Sequence, residues 1–197
     1  MTQRSIQAGP EPTVIVRAGG GVRVETWESE RVQASTESRW GMKIERRRAA
    51  IEVQIGGGGA VLVPPRSAVT VYAGKSAEVR GVRGPVTIYA GGSAVVRDAG
   101  ALAHVSAGRS IDMECQAIAG QSVSFTAGGD ARLFVRDLAD ALLTIDDLGG
   151  YWEALIGDGS AMVRVKAGGD VTLVTDRAVA GQPPHYILGK IERPDAT

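Results

Sequence analysis

The sequence predicts an all-β protein, a single-stranded right-handed β-helix (β-solenoid) of about nine coils with 17–20 residues each. Two observations predict this fold class. Apolar residues alternate with polar or small residues in short runs along the chain, which is the pattern of half-buried strands. Ala-Gly and Gly-Gly pairs recur at a nearly constant interval, and an interval of this length indicates a stack of repeated units.

The repeat is clearest in mid-chain, where Ala73-Gly74, Ala90-Gly91 and Ala107-Gly108 follow one another every 17 residues. Residues 69–80 show the unit: a strand, a tight turn at the Ala-Gly pair and a second strand. One unit has too few inward positions to enclose a core, so it must stack on its neighbours. Right-handed winding is expected because parallel crossovers are right-handed by default.

The elements follow in chain order between nine expected turns. These turns fall at positions 18, near 37, 56, 73, 90, 107, 127, near 147 and 167. Residues 1–12 form an N-terminal arm before the solenoid, which spans 13–176, and residues 177–197 form a C-terminal arm or cap. The stretch 138–148 has either helix or strand character, and we interpret it as strand because the repeat places strand and turn there.

Composition narrows the function classes. With 44% hydrophobic and 22% charged residues the chain is that of a folded protein, and its net charge of +0 argues against a general nucleic-acid binder. Cys115 is the only cysteine, which excludes an internal disulfide. It lies in register with Ile111 and Met113, so we expect it to point inward as a small hydrophobe.

No signal peptide and no apolar window long enough for a membrane helix are present in the sequence. We therefore expect no membrane insertion and a cytoplasmic location. The alternative is the cell surface, reached by non-classical export.

Several segments resemble the DUF4097 family, which comprises adhesin-like bacterial β-solenoid domains. The segments that carry the resemblance, within about residues 13–176, are 22–27, 61–67, 77–88 and the recurring Ala-Gly turns. The resemblance implies a β-solenoid fold, an adhesin-like role and no catalytic residues. Bactofilins, which are cytoskeletal β-solenoid polymers, are similar more loosely, by architecture alone.

Candidate chemistry is sparse. His104 and His185 have no nearby partners that would form a nucleophile pair or a ligand set, so we expect no catalytic, cofactor or metal role. The turns 128–130 and 168–170 read Gly-Gly-Asp, similar to calcium-binding β-roll repeats but with twice their spacing. A calcium-dependent polysaccharide-active enzyme stays an alternative, while the expected protein is not an enzyme.

For the arginine run and the tryptophans, the sequence predicts structural roles. Arg46, Arg47 and Arg48 form the only basic run, and we expect them to be solvated or paired with acids such as Glu45 and Glu52. The three tryptophans, Trp27, Trp40 and Trp152, are expected to pack at coil edges or at an end of the rod.

Charge is unevenly divided along the chain. Residues 1–97 carry 14 basic and 8 acidic side chains, and residues 98–197 carry 8 and 14, giving net charges of +6 and −6. If coils stack in chain order, the rod is a lengthwise dipole, and complementary ends favour head-to-tail contact. The candidate self-association residues are Arg46, Arg47, Arg48, Asp146, Asp147, Asp158, Tyr186, Ile187 and Leu188.

The leading hypothesis is therefore a structural protein whose partner is another copy of itself, in oligomers or filaments. The second is an adhesin-like or scaffold module that binds a glycan, a cell-wall polymer or a protein along one face of the rod.

Overall fold

The computed structural model describes residues 1–118, 122–138, 141–147, 150–156 and 160–174. These residues form 19 strands and no helix, which confirms the predicted all-β class. It follows that no helix in the described part of the chain is long and apolar enough to cross a membrane.

The strands fall in two mixed sheets. In chain order they are β1 Thr2–Gln7, β2 Thr13–Ala18, β3 Val22–Thr26, β4 Arg31–Thr36, β5 Met42–Arg47, β6 Ala50–Ile55, β7 Gly59–Val63, β8 Ala68–Ala73, β9 Ala77–Arg80, β10 Pro85–Ala90, β11 Ala94–Ala99, β12 Ala101–Ala107, β13 Ile111–Ile118, β14 Val123–Ala127, β15 Ala131–Leu138, β16 Ala141–Asp147, β17 Gly150–Ile156, β18 Ala161–Ala167 and β19 Val171–Val174. The nine-stranded sheet has the order β1-β4-β7-β3-β9-β11-β13-β15-β19, and the ten-stranded sheet has the order β17-β16-β18-β14-β12-β10-β8-β2-β6-β5.

The middle of the chain follows the predicted repeat. From β8 to β15, successive strands alternate between the two sheets, and each strand from β8 to β13 pairs in parallel with the strand two places further along. The 17-residue interval appears directly in the register, since Val69 lies opposite Val86 and Ala73 opposite Ala90. Equal repeats therefore place equal residues side by side.

The two ends differ from nine regular coils stacked in chain order. Strand β2 lies between β6 and β8, and β3 lies between β7 and β9, so the first unit is inserted between later ones. Antiparallel pairs are added at one end by β1, β4 and β5 and at the other by β17. The described fold is thus all-β in two mixed sheets, and the regular nine-coil right-handed β-helix stays a prediction.

The buried residues of both sheets form one hydrophobic cluster. Strand β2 is typical: Val14 and Val16 are fully buried, while Ile15 and Arg17 between them are not. Cys115 is 1% exposed and is buried on the same face of β13 as Met113, which confirms its predicted inward orientation. β-Branched residues suit this position because they pack well on a pleated surface.

A ladder of glycines lines the turns that close the repeats. Its members, in spatial order, are Gly56, Gly19, Gly74, Gly91, Gly108, Gly128 and Gly168. A Cβ built at Gly91 would lie 2.5 Å from the carbonyl oxygen of Gly74, and one at Gly19 would lie 2.6 Å from that of Gly56. Because successive turns approach this closely, these positions have no room for a side chain.

The segments outside the repeat have mixed outcomes. Residues 141–147 form strand β16, which confirms strand rather than helix there. The first arm contains β1, the terminal strand of the nine-stranded sheet, which pairs antiparallel with β4. The C-terminal arm, 177–197, lies outside the described residues.

Candidate functional site

The outer face of the nine-stranded sheet is occupied by ion pairs. Arg23 Nε lies 2.8 Å from Glu78 Oε2, and Arg97 Nη2 lies 2.6 Å from Asp112 Oδ2. These pairs form across neighbouring strands, where opposite side chains come within reach of each other. The charged groups on this face are therefore largely satisfied by each other.

The pKa values on this face agree with that description. Partial burial raises the pKa of Glu78, but hydrogen bonds from Arg80 and Arg23 outweigh it and hold this pKa below its ordinary value. The hydrogen bond to Asp112 raises the pKa of Arg97 above its ordinary value. Each of these partners favours the charged form, so the pairs are ionised near neutral pH.

The outer face of the ten-stranded sheet is different, because it carries a row of stacked rings. The register places Arg17 of β2 opposite Tyr72 of β8, and Tyr72 opposite Tyr89 of β10. The two phenol rings are nearly parallel, at 8°, with centroids 5.1 Å apart. The guanidinium carbon of Arg17 lies 4.5 Å from the centre of the Tyr72 ring.

The row continues on β12 and β14. His104 lies 5.1 Å from Tyr89 between ring centroids, and its Nδ1 is 2.5 Å from Ser124 Oγ. His104 is thus part of a cross-strand row, and within this structure its neighbours are a phenol ring and a hydroxyl. Both faces of each tyrosine ring are covered by row neighbours, so the tyrosines present ring edges and hydroxyl groups outward.

An open groove of about 970 Å³ runs across this face beside the row. It crosses the carboxyl-terminal ends of β6, β2, β8 and β10, where the glycine ladder begins. Its lining comprises Arg17, Ala18, Gly19, Trp40, Gly41, Met42, Lys43, Gln54, Ile55, Gly56, Tyr72, Ala73, Gly74, Tyr89, Ala90, Gly91 and Ser106. The Ala-Gly turns thus provide a surface of small residues between aromatic side chains.

Trp40 contributes the most exposed aromatic side chain of the groove. It precedes strand β5 and is 72% exposed. A Cβ built at Gly56 would lie 2.5 Å from the Trp40 Cβ, so a glycine is needed beneath it. The guanidinium carbon of Arg39 lies 5.3 Å from the ring centre. Trp40 thus lies at an end of the sheet, one of the two predicted places, but its side chain faces solvent beside the groove and does not pack as expected.

The polar side chains of the groove comprise two paired cations, Gln54 with a hydrogen bond to Glu52, and neutral groups without partners. Arg17 Nε lies 3.1 Å from Glu52 Oε1, and Lys43 Nζ lies 2.6 Å from Glu45 Oε2. The hydrogen bond from Lys43 lowers the pKa of Glu45, against a smaller opposing effect of burial. Both lining cations thus have a carboxylate partner, and Arg47 shares the same two carboxylates.

The neutral groups are free to bind something else. In the described part of the chain, the hydroxyls of Tyr72, Tyr89 and Ser106 and the indole N–H of Trp40 have no hydrogen-bond partner. Exposed hydroxyl groups of this kind both donate and accept hydrogen bonds. An exposed indole with several neutral hydrogen-bonding groups beside it is typical of a ligand site.

Those predicted self-association residues that the structure describes lie at or near opposite ends of the ten-stranded sheet. Arg46 and Arg47 are on its terminal strand β5, and Arg48 is in the turn that follows, with a φ of 56°. Asp146 is on β16, next to the other terminal strand, and its Oδ2 lies 2.9 Å from Lys166 Nζ. Asp147 ends β16.

The basic run has partners within the chain. Arg47 Nε lies 2.5 Å from Glu45 Oε1 and 3.3 Å from Glu52 Oε2, which confirms the expected pairing with these two acids. Arg46 Nη2 donates a hydrogen bond to the Gln7 carbonyl oxygen at 2.7 Å. The side chain of Asp147, and all of Asp158, Tyr186, Ile187, Leu188 and His185, lie outside the described residues.

The two Gly-Gly-Asp turns stack on each other. The backbone N–H of Asp170 donates a hydrogen bond to Asp130 Oδ1 at 3.1 Å. Among the described residues, no group of three or more His, Cys, Asp or Glu side chains is placed to hold a metal ion. The hydrogen bond gives Asp130 a structural contact that the sequence pattern does not predict.

Comparison with known proteins gives a distant structural similarity. No family model matches the chain, and no curated protein matches it. A solved structure from Clostridium sporogenes ATCC 15579, titled a "putative cell adhesion protein", is similar, with 10% identity and a TM-score of 0.45. The match covers 88% of this chain and 99% of that one. The resemblance to DUF4097 stays a prediction.

Sequence reasoning missed the groove. Its signal was present in Tyr72 and Tyr89, which occupy the same position of consecutive repeats and precede the Ala-Gly turn in both. A periodic aromatic on the outward phase of a strand predicts a row of rings on one face. The position of Trp40 beside that row depends on a loop outside the repeat, and no periodic pattern indicates it.

Proposed function

We propose that the protein is a non-enzymatic, adhesin-like binding module that holds a partner along the outer face of its ten-stranded sheet. The groove on this face supports the proposal. Both outer faces carry cross-strand ion pairs, but the ten-stranded face also has an open groove with the exposed Trp40 and unpartnered hydroxyls. Such groups bind by stacking and hydrogen bonding. We expect this partner to be a component of the cell envelope.

The experiment is co-sedimentation of the purified protein with washed bacterial envelope fragments. We expect the wild-type protein to pellet with the fragments and Trp40→Ala to stay largely in the supernatant. Trp40 is mostly exposed, so its removal leaves the core intact. Phe134→Ala, on the other sheet, is the matched control and should pellet like the wild type. Equal pelleting of all three proteins, or of none, would contradict the proposal.

Head-to-tail self-association is the second candidate function. The strands of residues 1–97 occupy one contiguous side of both sheets, so the described strands of the basic half and of the acidic half lie toward opposite ends. Strands β5 and β17 are each antiparallel to an otherwise parallel sheet and so run in the same direction. A copy stacked without rotation would pair β17 with β5 in parallel, at an edge suited to strand addition.

The charge distribution is the reason why self-association ranks below the binding module as a candidate function. Residues 56–97 carry five basic side chains and one acidic side chain, so much of the positive excess lies away from the terminal strand. Sedimentation velocity at about 20 mM and about 500 mM salt tests it, because salt screens such contacts. Oligomers at low salt that dissociate at high salt would support it, and a monomer at both concentrations would refute it.

A further inference from the structure

We infer that the groove beside Trp40 is a subsite for a neutral glycan chain, with Trp40 as its stacking platform. This inference rests on the proposed function, since it names the ligand class of the same face. The groove volume of about 970 Å³ is at the upper end of the range for small-ligand sites, and its open form suits a chain that continues beyond it. Three observations favour a neutral glycan over other ligands.

The first observation is the chemistry of the free groups. Two phenol hydroxyls, one serine hydroxyl and one indole N–H are without partners in the described structure. Sugars present many hydroxyl groups, each of which donates and accepts, and so matches this set. They also present faces of C–H groups, which stack on an exposed indole such as Trp40.

The second observation is electrostatic. The two cations that line the groove, Arg17 and Lys43, are paired with Glu52 and Glu45. Glu45 and Glu52, which Arg47 shares, stand beside both lining cations, so an acidic glycan or a phosphate would meet carboxylates there as well as cations. A ligand without charge avoids that repulsion.

The third observation concerns strand addition by a peptide. The groove crosses β6, β2, β8 and β10, each of which already has a hydrogen-bonded neighbour on both sides. A peptide that binds by strand addition needs an unpaired edge, which these strands do not offer. Met42 and Ile55, the two large aliphatic residues of the lining, are only 8% and 2% exposed and so offer little apolar surface to a peptide side chain.

The test is affinity gel electrophoresis in gels that contain a β-glucan, a mannan or a galactan, with polygalacturonate as the acidic comparison. We expect at least one neutral polysaccharide to retard the wild-type protein. Trp40→Ala should weaken the retardation at least about tenfold, and Phe134→Ala should leave it unchanged. The double variant Tyr72→Phe/Tyr89→Phe keeps the ring stack and removes two hydroxyls, so we expect a loss of about fivefold.

Retardation by polygalacturonate alone, by no polysaccharide, or equally for wild type and Trp40→Ala would overturn the inference. Periodate and protease treatment of envelope fragments separates it from the proposed function. Periodate cleaves sugar diols, so loss of co-sedimentation after periodate supports the glycan. Co-sedimentation that survives periodate and is lost after protease would overturn the glycan while the proposed function stands. Absence of any envelope binding would refute the proposed function itself.

Discussion

Tyr72 and Tyr89 show how a single repeated residue shapes a surface. In-register parallel pairing puts identical side chains next to each other, so the rings stack at 5.1 Å and the stack extends to Arg17 on one side. The stack covers the ring faces and leaves the hydroxyls outward. A tyrosine at this position therefore serves as a polar tip on an apolar support, which is its usual role at interfaces.

Cys115 gives a prediction at the same scale. The side chain is 1% exposed, and burial raises the pKa of its thiol to about 11. Since only the thiolate reacts with alkylating and disulfide reagents, we expect negligible labelling of the folded protein at about pH 8. Labelling should be at least about a hundredfold faster in a denaturing concentration of urea, measured with a chromogenic disulfide reagent.

The labelling experiment has an internal control, because Cys115 is the sole thiol of the chain. A single labelling rate therefore reports on one site. Fast labelling of the folded protein in the absence of urea would show that β13 opens readily or that Cys115 does not face the core.

At the scale of the element, the ladder of glycines sets how closely successive turns of the repeat approach each other. Gly91 N–H donates to the Ala73 carbonyl oxygen at 2.9 Å, and the same bond recurs between Gly74 and Ala18. A Cβ at Gly91 would lie 2.5 Å from the Gly74 carbonyl oxygen. We therefore expect Gly91→Ala to lower the free energy of unfolding by about 1–3 kcal/mol, measured by urea denaturation.

Gly21→Ala is the matched control for this variant. Its added Cβ would lie 3.3 Å from the Ser76 carbonyl oxygen, a contact that a small shift relieves. Its expected cost is below that of Gly91→Ala. If both variants unfold at the same urea concentration as the wild type, the turns of the glycine ladder have room for a Cβ, which would contradict the close contacts of the structure.

At the scale of the whole molecule, the inserted unit makes the N-terminal segment central. Strands β2 and β3 each pair on both sides, with β6 and β8 in one sheet and with β7 and β9 in the other. Deletion of residues 1–30 would therefore open a gap inside both sheets. We expect the truncated chain to lose its cooperative unfolding transition in urea, because its core is split. Circular dichroism as a function of urea concentration measures this transition.

Deletion of residues 1–8 provides the comparison. It removes only the terminal strand β1, which has a single hydrogen-bonded neighbour in the sheet. This chain should still unfold cooperatively, at a lower urea concentration than the full-length protein. In a strictly sequential stack both deletions would shorten one end, so cooperative unfolding of the longer deletion would argue against the inserted topology.

The candidate site was only partly predictable. The pairing of Arg47 with Glu45 and Glu52 followed from local charge, because these residues lie in one hairpin and reach each other without any distant element. The groove beside Trp40 did not. It needs the loop before β5 to line one groove together with the ends of β8 and β10, which are distant in sequence, and no local rule places it there.

The sequence by itself determined the strands of the repeat, their inward residues and the glycine turns. Each of these depends on a short pattern: alternation decides which side chains face the core, and the steric needs of a turn decide where glycine stands. Only the tertiary structure decided which strands pair. Strands such as β2, β6 and β8 share one alternating pattern, so local propensity accepts any of them as a neighbour. Packing of the complete core selects the order in which β2 is inserted, and with it the groove on the ten-stranded face.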